Sequence, residues 1–263
     1  MSRAVKEMLA SRSMTDLYLN LRFAPVRLHR RRKYYSLVEK KYGIEIGGPS
    51  SLFKTVLPLY RIVGGLDGVN FSTDTIWEGN IQAGDSFNYY REKSGRQFIA
   101  DATDLSEIGD ACYDFLLSSN CLEHVANPIK ALKEWRRVIK AGGVMVLVLP
   151  RKESNFDHRR PVTSIEHLMD DFAAQVEEDD LTHLEEILAL HDLGRDPPAG
   201  DLEHFRQRSL NNLQNRTLHH HVFDVALIEA MLAGLEFEIL DVTTTRTDFF
   251  ALARKAESDL AAG

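Results

Sequence analysis

"YGIEIGGPSS", residues 42–51, carries a short apolar run into an acid, two glycines and a proline. Its alternation of apolar residues with Gly43 and Glu45 predicts a strand, and Gly47-Gly48 predicts a tight turn in which backbone can lie close to a ligand. A P-loop is excluded, because no Lys followed by Ser or Thr comes after Gly48. A full dinucleotide fingerprint is excluded too, since its third glycine would fall at Ser51. Pro49 removes one of the backbone N–H groups that a pyrophosphate cradle uses.

Further β-type runs recur at "YRIVGGLD", "RQFIAD", "YDFLLSSN" and "GGVMVLVLP", with helical patterns such as "ANPIKALKEWRRVIKAGG" between some of them. Strand alternating with helix predicts an α/β chain, a doubly wound, Rossmann-like and mostly parallel sheet. In "AGGVMVLVLP" a helix is expected to stop at a glycine, and the unbroken apolar run after it predicts a central strand covered on both faces. Residues 1–41 read as an N-terminal helical extension, with Pro25 placed to open a second helix. Residues 42–263 then form one domain. Within it, about 151–221, rich in His, Asp and Glu, reads as a helical insertion or lid after the fifth strand. A helix ending near Gly234 and two final strands complete seven.

The 263 residues carry a net charge of -7, which argues against a protein that coats nucleic acid or an anionic membrane. The longest apolar run is too short to span a bilayer, and the N-terminus has no signal-like apolar core, so a cytoplasmic protein is expected. Cys112 and Cys121 form no CxxC pair and read as reduced packing residues.

Asp67, twenty residues beyond Gly47, is expected to end the second strand, where a carboxylate accepts the hydroxyls of a ribose. A ligand with a ribose and no pyrophosphate fits S-adenosylmethionine. From about Tyr42 to Lys152 the chain resembles the class I S-adenosylmethionine-dependent methyltransferases. "EIGGPS" is similar to their first motif, with Glu45 in the acidic position and Gly47, Gly48, Pro49 and Ser50 forming the turn. The resemblance implies that Asp67 holds the ribose, that Asp101 of "FIADATDL" reaches the adenine amine, and that Ala102 offers its backbone. "YDFLLSSNCLEHVANP" is similar to the fourth strand and its turn, which places Ser119 and Asn120 against the cofactor. The chain departs from the family's pattern at Pro49 and Ser50, where a third glycine is usual, and in the long stretch 68–96.

Methyl transfer needs an acceptor in line with the sulfonium and often a base. His124 is one candidate base, with a structural histidine at a helix start as the alternative. In "PRKESNFDHRRP", Asp157 and His158 form a second catalytic candidate and Asn155 a substrate contact, with helix capping as the alternative. Glu123 and His220, the latter within "LHHHVFD", are expected to meet substrate. Asp179, His183 and Glu186 have metal-like spacing on a helix, but a solvated acidic face explains them, and no metal is expected. A glycan or small-molecule acceptor is expected, an oxygen of a sugar, nucleotide-sugar or saccharide, in a surface-polysaccharide setting; nucleic acid and membrane insertion are not, and a homodimer is left open. The rival readings are an RNA or protein methyltransferase docking through the basic segment 27–35, and a cofactor-binding module without catalysis.

Overall fold

The protein is described by a computed structural model that covers residues 31–257. Most of the expected N-terminal extension, Pro25 included, lies outside the described residues; within them, Arg31–Tyr35 and Ser36–Val38 are helical. The strands are β1 Tyr42–Ile46, β2 Gly65–Asn70, β3 Asp74–Thr75, β4 Gly79–Asn80, β5 Gly84–Tyr90, β6 Lys93–Ile99, β7 Tyr113–Ser119, β8 Ile139–Pro150, β9 Phe237–Thr244 and β10 Asp248–Lys255. All but β3 and β4 form one sheet in the order β5-β6-β2-β1-β7-β8-β10-β9. The inner strands β6, β2, β1, β7 and β8 pair in parallel, while β10 and β9 close one edge antiparallel. A mostly parallel, Rossmann-like sheet results, with the expected crossovers.

The sheet has eight strands rather than seven. The additional one is β5, which folds back on β6 from within the stretch 68–96. Phe87 and Tyr89 of β5 are buried while Asn88 between them is exposed, the period-two pattern of an edge strand with one covered face. The expected fourth and fifth strands are therefore β7 and β8.

Helices cover both faces. On one, α2 (Pro128–Val138) and α7 (Val225–Gly234) pack a core around Trp135, Leu132 and Met231. On the other, Tyr34, Phe53 of α1 (Ser51–Thr55) and Tyr60 pack against Phe115 and Val146. Val144–Leu149 of β8 are buried without alternation, as a strand covered on both faces requires. One boundary differs from the expectation: α2 ends at Val138, and the chain is already extended at Ile139, ahead of the two glycines. Between β8 and α7 lie α3 (Ile165–Ala174), α4 (Leu184–Leu190), α5 (Leu202–Leu210) and α6 (Asn212–Asn215). Of these, α4 and α5 share a small core of Ile187, Phe205 and Leu218. No helix among the described residues is long and apolar enough to cross a membrane.

The structure corrects the place of Asp67. It does not end β2, which runs on to Asn70; it sits mid-strand, 5% exposed. Its carboxylate accepts from the hydroxyls of Tyr42 (2.7 Å) and Tyr113 (2.8 Å) and from the backbone N–H of Arg96 (2.8 Å). Asp67→Ala leaves these donors unpaired and is expected to cost about 1–3 kcal/mol of stability, read from urea unfolding, without weakening cofactor affinity. An unchanged midpoint with lost cofactor binding would return Asp67 to the site.

Candidate active site

A cavity of about 580 Å³ opens at the C-terminal ends of β1, β2, β6 and β7. This is where the strand order reverses direction about β1, the place at which open α/β sheets bind ligands. Gly47 forms its floor with φ +77°, its N–H bonded to the Val69 carbonyl (2.9 Å). A Cβ there would meet Cys121 Sγ at 2.9 Å, so only glycine lets backbone line the cavity. Gly47, Pro49 and Ser50 face the cavity; Gly48 does not. A Cβ on Gly48 would fall 2.3 Å from Glu45 Cδ.

Glu45 itself lies beneath the turn, with no exposed surface. It accepts from Tyr60 Oη (2.6 Å) and from the Ser50 N–H (3.1 Å), so it shapes the turn rather than touching a ligand. Burial raises its carboxyl from an ordinary 4.5 to about 8, against the opposing bonds from Tyr60 and Ser50.

At the end of β2 the cavity is lined by Asn70, whose Nδ2 donates to the Gly48 carbonyl (2.8 Å) and whose Oδ1 is left to accept. Phe71 follows directly, and Trp77 and Glu78 stand in the turn of the β3–β4 hairpin. Asp101 and Ala102 stand at the end of β6. Asp101 Oδ1 accepts from the Thr103 N–H and hydroxyl, both at 2.8 Å, and Oδ2 from Arg216 Nη2 at 2.9 Å. Arg216 also pairs with Glu178 (3.0 Å) and lies over the Phe71 ring (5.2 Å), so two insertion residues roof the cavity. After β7, Ser119 and Asn120 line the wall beside Cys121, whose thiol is pushed up to about 12 by burial and stays protonated.

His124 also lines the cavity. Its Nδ1 lies 3.0 Å from the Leu218 carbonyl, an acceptor only, so Nδ1 carries the proton and Nε2 a lone pair. Burial holds this imidazole well below the ordinary histidine range, hence neutral. Behind it, the His219 ring meets His124 edge-on at 4.5 Å and bonds through Nδ1 to Asp157 (2.5 Å). Burial opposes charge on both partners, yet their contact lifts His219 and, together with Arg160, holds Asp157 down at about 2. Burial raises Glu123 to about 7, and its Oε2 has no hydrogen-bond partner.

Several expected contacts lie elsewhere. Asp157 is not at the cavity but buried against His219 and Arg160. His158 bonds Asp192 (2.8 Å) inside the insertion, and Asn155 Oδ1 accepts from the Asp157 N–H (2.7 Å) in a local turn. His220, 1% exposed and pushed down to about 4 by burial, bonds Asn212 (3.0 Å). Of the three consecutive histidines it is His219 that comes beside His124. Glu123 is beside the cavity rather than in its wall. The sequence reading did not single out Asn70, Glu178 or Arg216, which line the cavity, and it chose His220 rather than His219 from the histidine run; nothing local marks the end of β2 or announces Arg216.

A cavity with close backbone approach, a strand-end amide in the ribose position and an acid after the next parallel strand fits a nucleoside ligand without phosphates. Residues 74–147 match the model of a methyltransferase domain. No curated protein sequence matches the chain. Among solved structures, a Methanosarcina mazei S-adenosylmethionine-dependent methyltransferase is 19% identical, with 86% of this chain and 96% of that one covered and a TM-score of 0.47. One from Aquifex aeolicus is 13% identical over 90% and 97% at 0.46, and the YcgJ protein of Bacillus subtilis 13% over 89% and 99% at 0.48. Strand order, glycine turn and matched segment together give the chain the fold of the class I S-adenosylmethionine-dependent methyltransferases, with a methyltransferase-domain segment at residues 74–147. The cofactor they imply is S-adenosylmethionine.

Asn70→Ala is expected to weaken S-adenosylhomocysteine binding at least about tenfold by calorimetry, roughly the effect of one lost hydrogen bond with its polar group left unpaired. Glu45 gives a pH test. An acid whose pKa is higher folded than unfolded takes up a proton on folding, so its contribution declines as pH rises from about 4.5 to about 8. Glu45→Gln is expected to flatten the stability profile over that window; an identical slope in wild type and variant would contradict the buried acid.

Proposed function

We propose that this methyltransferase methylates a hydroxyl oxygen of a sugar, nucleotide-sugar or saccharide, with His124 as the base. The observation that supports this most is the pairing in one cavity wall of a neutral imidazole and an exposed indole. The Trp77 ring, 45% exposed, lies 5.8 Å from that of His124. An indole face suits the apolar face of a pyranose, and the Glu178 carboxylate suits its hydroxyls.

In this reading Gly47, Pro49 and Ser50 hold the amino-acid end of the cofactor, Asn70 and Glu78 its ribose, and Asp101 with Ala102 its adenine. Ser119 and Asn120 form the wall beside it. When bound, S-adenosylmethionine supplies an electrophilic sulfonium methyl. Trp77 and Glu178 orient the acceptor, and the Arg216–Asp101 pair closes the roof and excludes water. The acceptor's proton passes to His124 Nε2, whose Nδ1–H stays on the Leu218 carbonyl. The imidazolium so formed is favoured by the negative charge of Asp157 and opposed by the neighbouring His219. Asp157 therefore serves both as counter-charge and as the positioner of His219.

The RNA or protein alternative rests on segment 27–35. Of its described side chains, Lys33 pairs with Asp241 (2.5 Å), and Tyr34 and Tyr35 are buried. That favours a small acceptor over a polyanion.

The test is release of S-adenosylhomocysteine with a panel of nucleotide-sugars and saccharides, RNA and a basic peptide as controls. Turnover on a sugar class is expected; turnover on RNA or peptide alone would contradict the reading. His124→Ala is expected to lower kcat about 100-fold or more, with cofactor affinity nearly unchanged. Because burial lowers the His124 pKa, the base form survives acidification. The acid limb of kcat/KM is expected below the usual histidine value of about 6.5.

A further inference from the structure

The insertion brings together four side chains that the methyl-transfer reading does not use. His167 and Asp171 lie one turn apart on α3, His183 immediately precedes α4, and His221 follows the strand-like segment that carries His219. One potential ligand atom from each lies within 4.8 Å of the others. The closer separations are His167 Nε2 to His183 Nε2, 2.9 Å, and His167 Nε2 to Asp171 Oδ2, 3.3 Å. His221 completes the group, its Nε2 edge 3.7 Å from the same carboxylate oxygen and its Nδ1 on the other side of the ring.

We propose that His167, Asp171, His183 and His221 form a four-ligand site for a divalent zinc-type cation that clamps the insertion onto the methyltransferase core. Ligands about 2.0–2.1 Å from a tetrahedral zinc stand roughly 3.3–3.4 Å from one another, and the two separations from His167, 2.9 and 3.3 Å, lie near that value. Two observations point to a ligand rather than to packed rings. Asp171 Oδ2 is buried and makes no hydrogen bond, although the residue is only 7% exposed. His221, 1% exposed, donates its Nε2–H to the Ala126 carbonyl (3.0 Å) while its Nδ1 is buried with no partner. A backbone carbonyl on one imidazole nitrogen is the arrangement that fixes the tautomer of a metal-ligating histidine.

The triplet whose spacing in the sequence is metal-like, Asp179, His183 and Glu186, does not come together. The helix begins only at Leu184, Asp179 is exposed, and Glu186 is bound to Arg160 at 2.9 Å. The other His-rich group, Glu123 with His124 and His219, is looser: among the described residues no Glu123 oxygen pairs with either ring, and His219 Nδ1 is held by Asp157.

With all four positions supplied by protein, the site is of the closed, structural kind. Its backbone links explain what it would hold in place. The Asp171 carbonyl accepts from Asn127 Nδ2 (3.1 Å), and the Ala126 N–H donates to Glu178, one of the roof residues (3.0 Å). A bound cation thus ties α3, the start of α4 and the His219–His221 segment to the loop under the cavity.

The test uses the full chain, dialysed against chelator and then titrated with zinc and, for its visible spectrum, cobalt. One zinc per chain, a tetrahedral cobalt spectrum and a zinc-dependent rise in melting temperature are expected. His183→Ala, His167→Ala and Asp171→Asn should each weaken zinc binding at least about tenfold, whereas His204→Ala, outside the cluster, should bind as wild type. The His167 side chain is 39% exposed, so its variant stays informative even where His221→Ala fails to fold. No binding at micromolar zinc, or wild-type affinity in the His167 and His183 variants, would overturn the site. S-adenosylhomocysteine titration of the same metal-free samples keeps the cofactor question separate.

Discussion

A carboxyl group with no access to solvent underlies the site. Glu45 sits beneath the turn that leaves β1, held by the Tyr60 hydroxyl and the Ser50 N–H. Its bulk is the reason residue 48 has no side chain, and its bond to Ser50 fixes the direction in which the chain enters α1. Burying it costs free energy, seen in the raised pKa, and the two hydrogen bonds offset part of that cost. The return is a turn in which Gly47, Pro49 and Ser50 all face the cavity. Because β1 lies between β2 and β7, this turn opens where the crossovers diverge, and groups from four parallel strands converge on it.

A second buried charge organises the insertion. The Arg160 guanidinium, 2% exposed, donates to Asp157 (3.1 Å), to Glu186 (2.9 Å) and to the carbonyls of His219 (2.7 Å) and His220 (3.0 Å). A guanidinium so deeply placed must satisfy nearly all of its donors, and those partners decide where the histidine run goes. His219 is turned toward His124, His220 toward Asn212, and His221 toward α3. The same anchoring brings the neighbouring Arg216 over Phe71 and Asp101. The insertion is thereby both roof and second wall of the cavity.

The strand order and the glycine turn were legible because apolar runs and glycines act locally. The order of motifs was enough to reach the cofactor. Asp67 was misplaced because "GLDGVN" is buried from Leu66 onward, so no polar break marks where the strand stops, and three residues of error exchange Asp67 for Asn70. The edge strand β5 was hidden in a polar stretch whose only signal is the alternation of Phe87 and Tyr89. His158 and His220 drew attention by residue type, yet their partners, Asp192 and Asn212, belong to other segments of the insertion. Long-range contacts of that kind leave no spacing in the sequence. The same holds for the four-ligand cluster, whose members come from three separate stretches, and for Arg216.

The most direct measurement is a crystal structure of the protein with S-adenosylhomocysteine. The account predicts the homocysteine end on the Gly47–Ser50 turn, a ribose hydroxyl on Asn70, the adenine beside Asp101, and the sulfur facing the side of the cavity that carries His124 and Trp77. Cofactor bound with its ribose on Asp67, or with its sulfur turned away from His124, would contradict it.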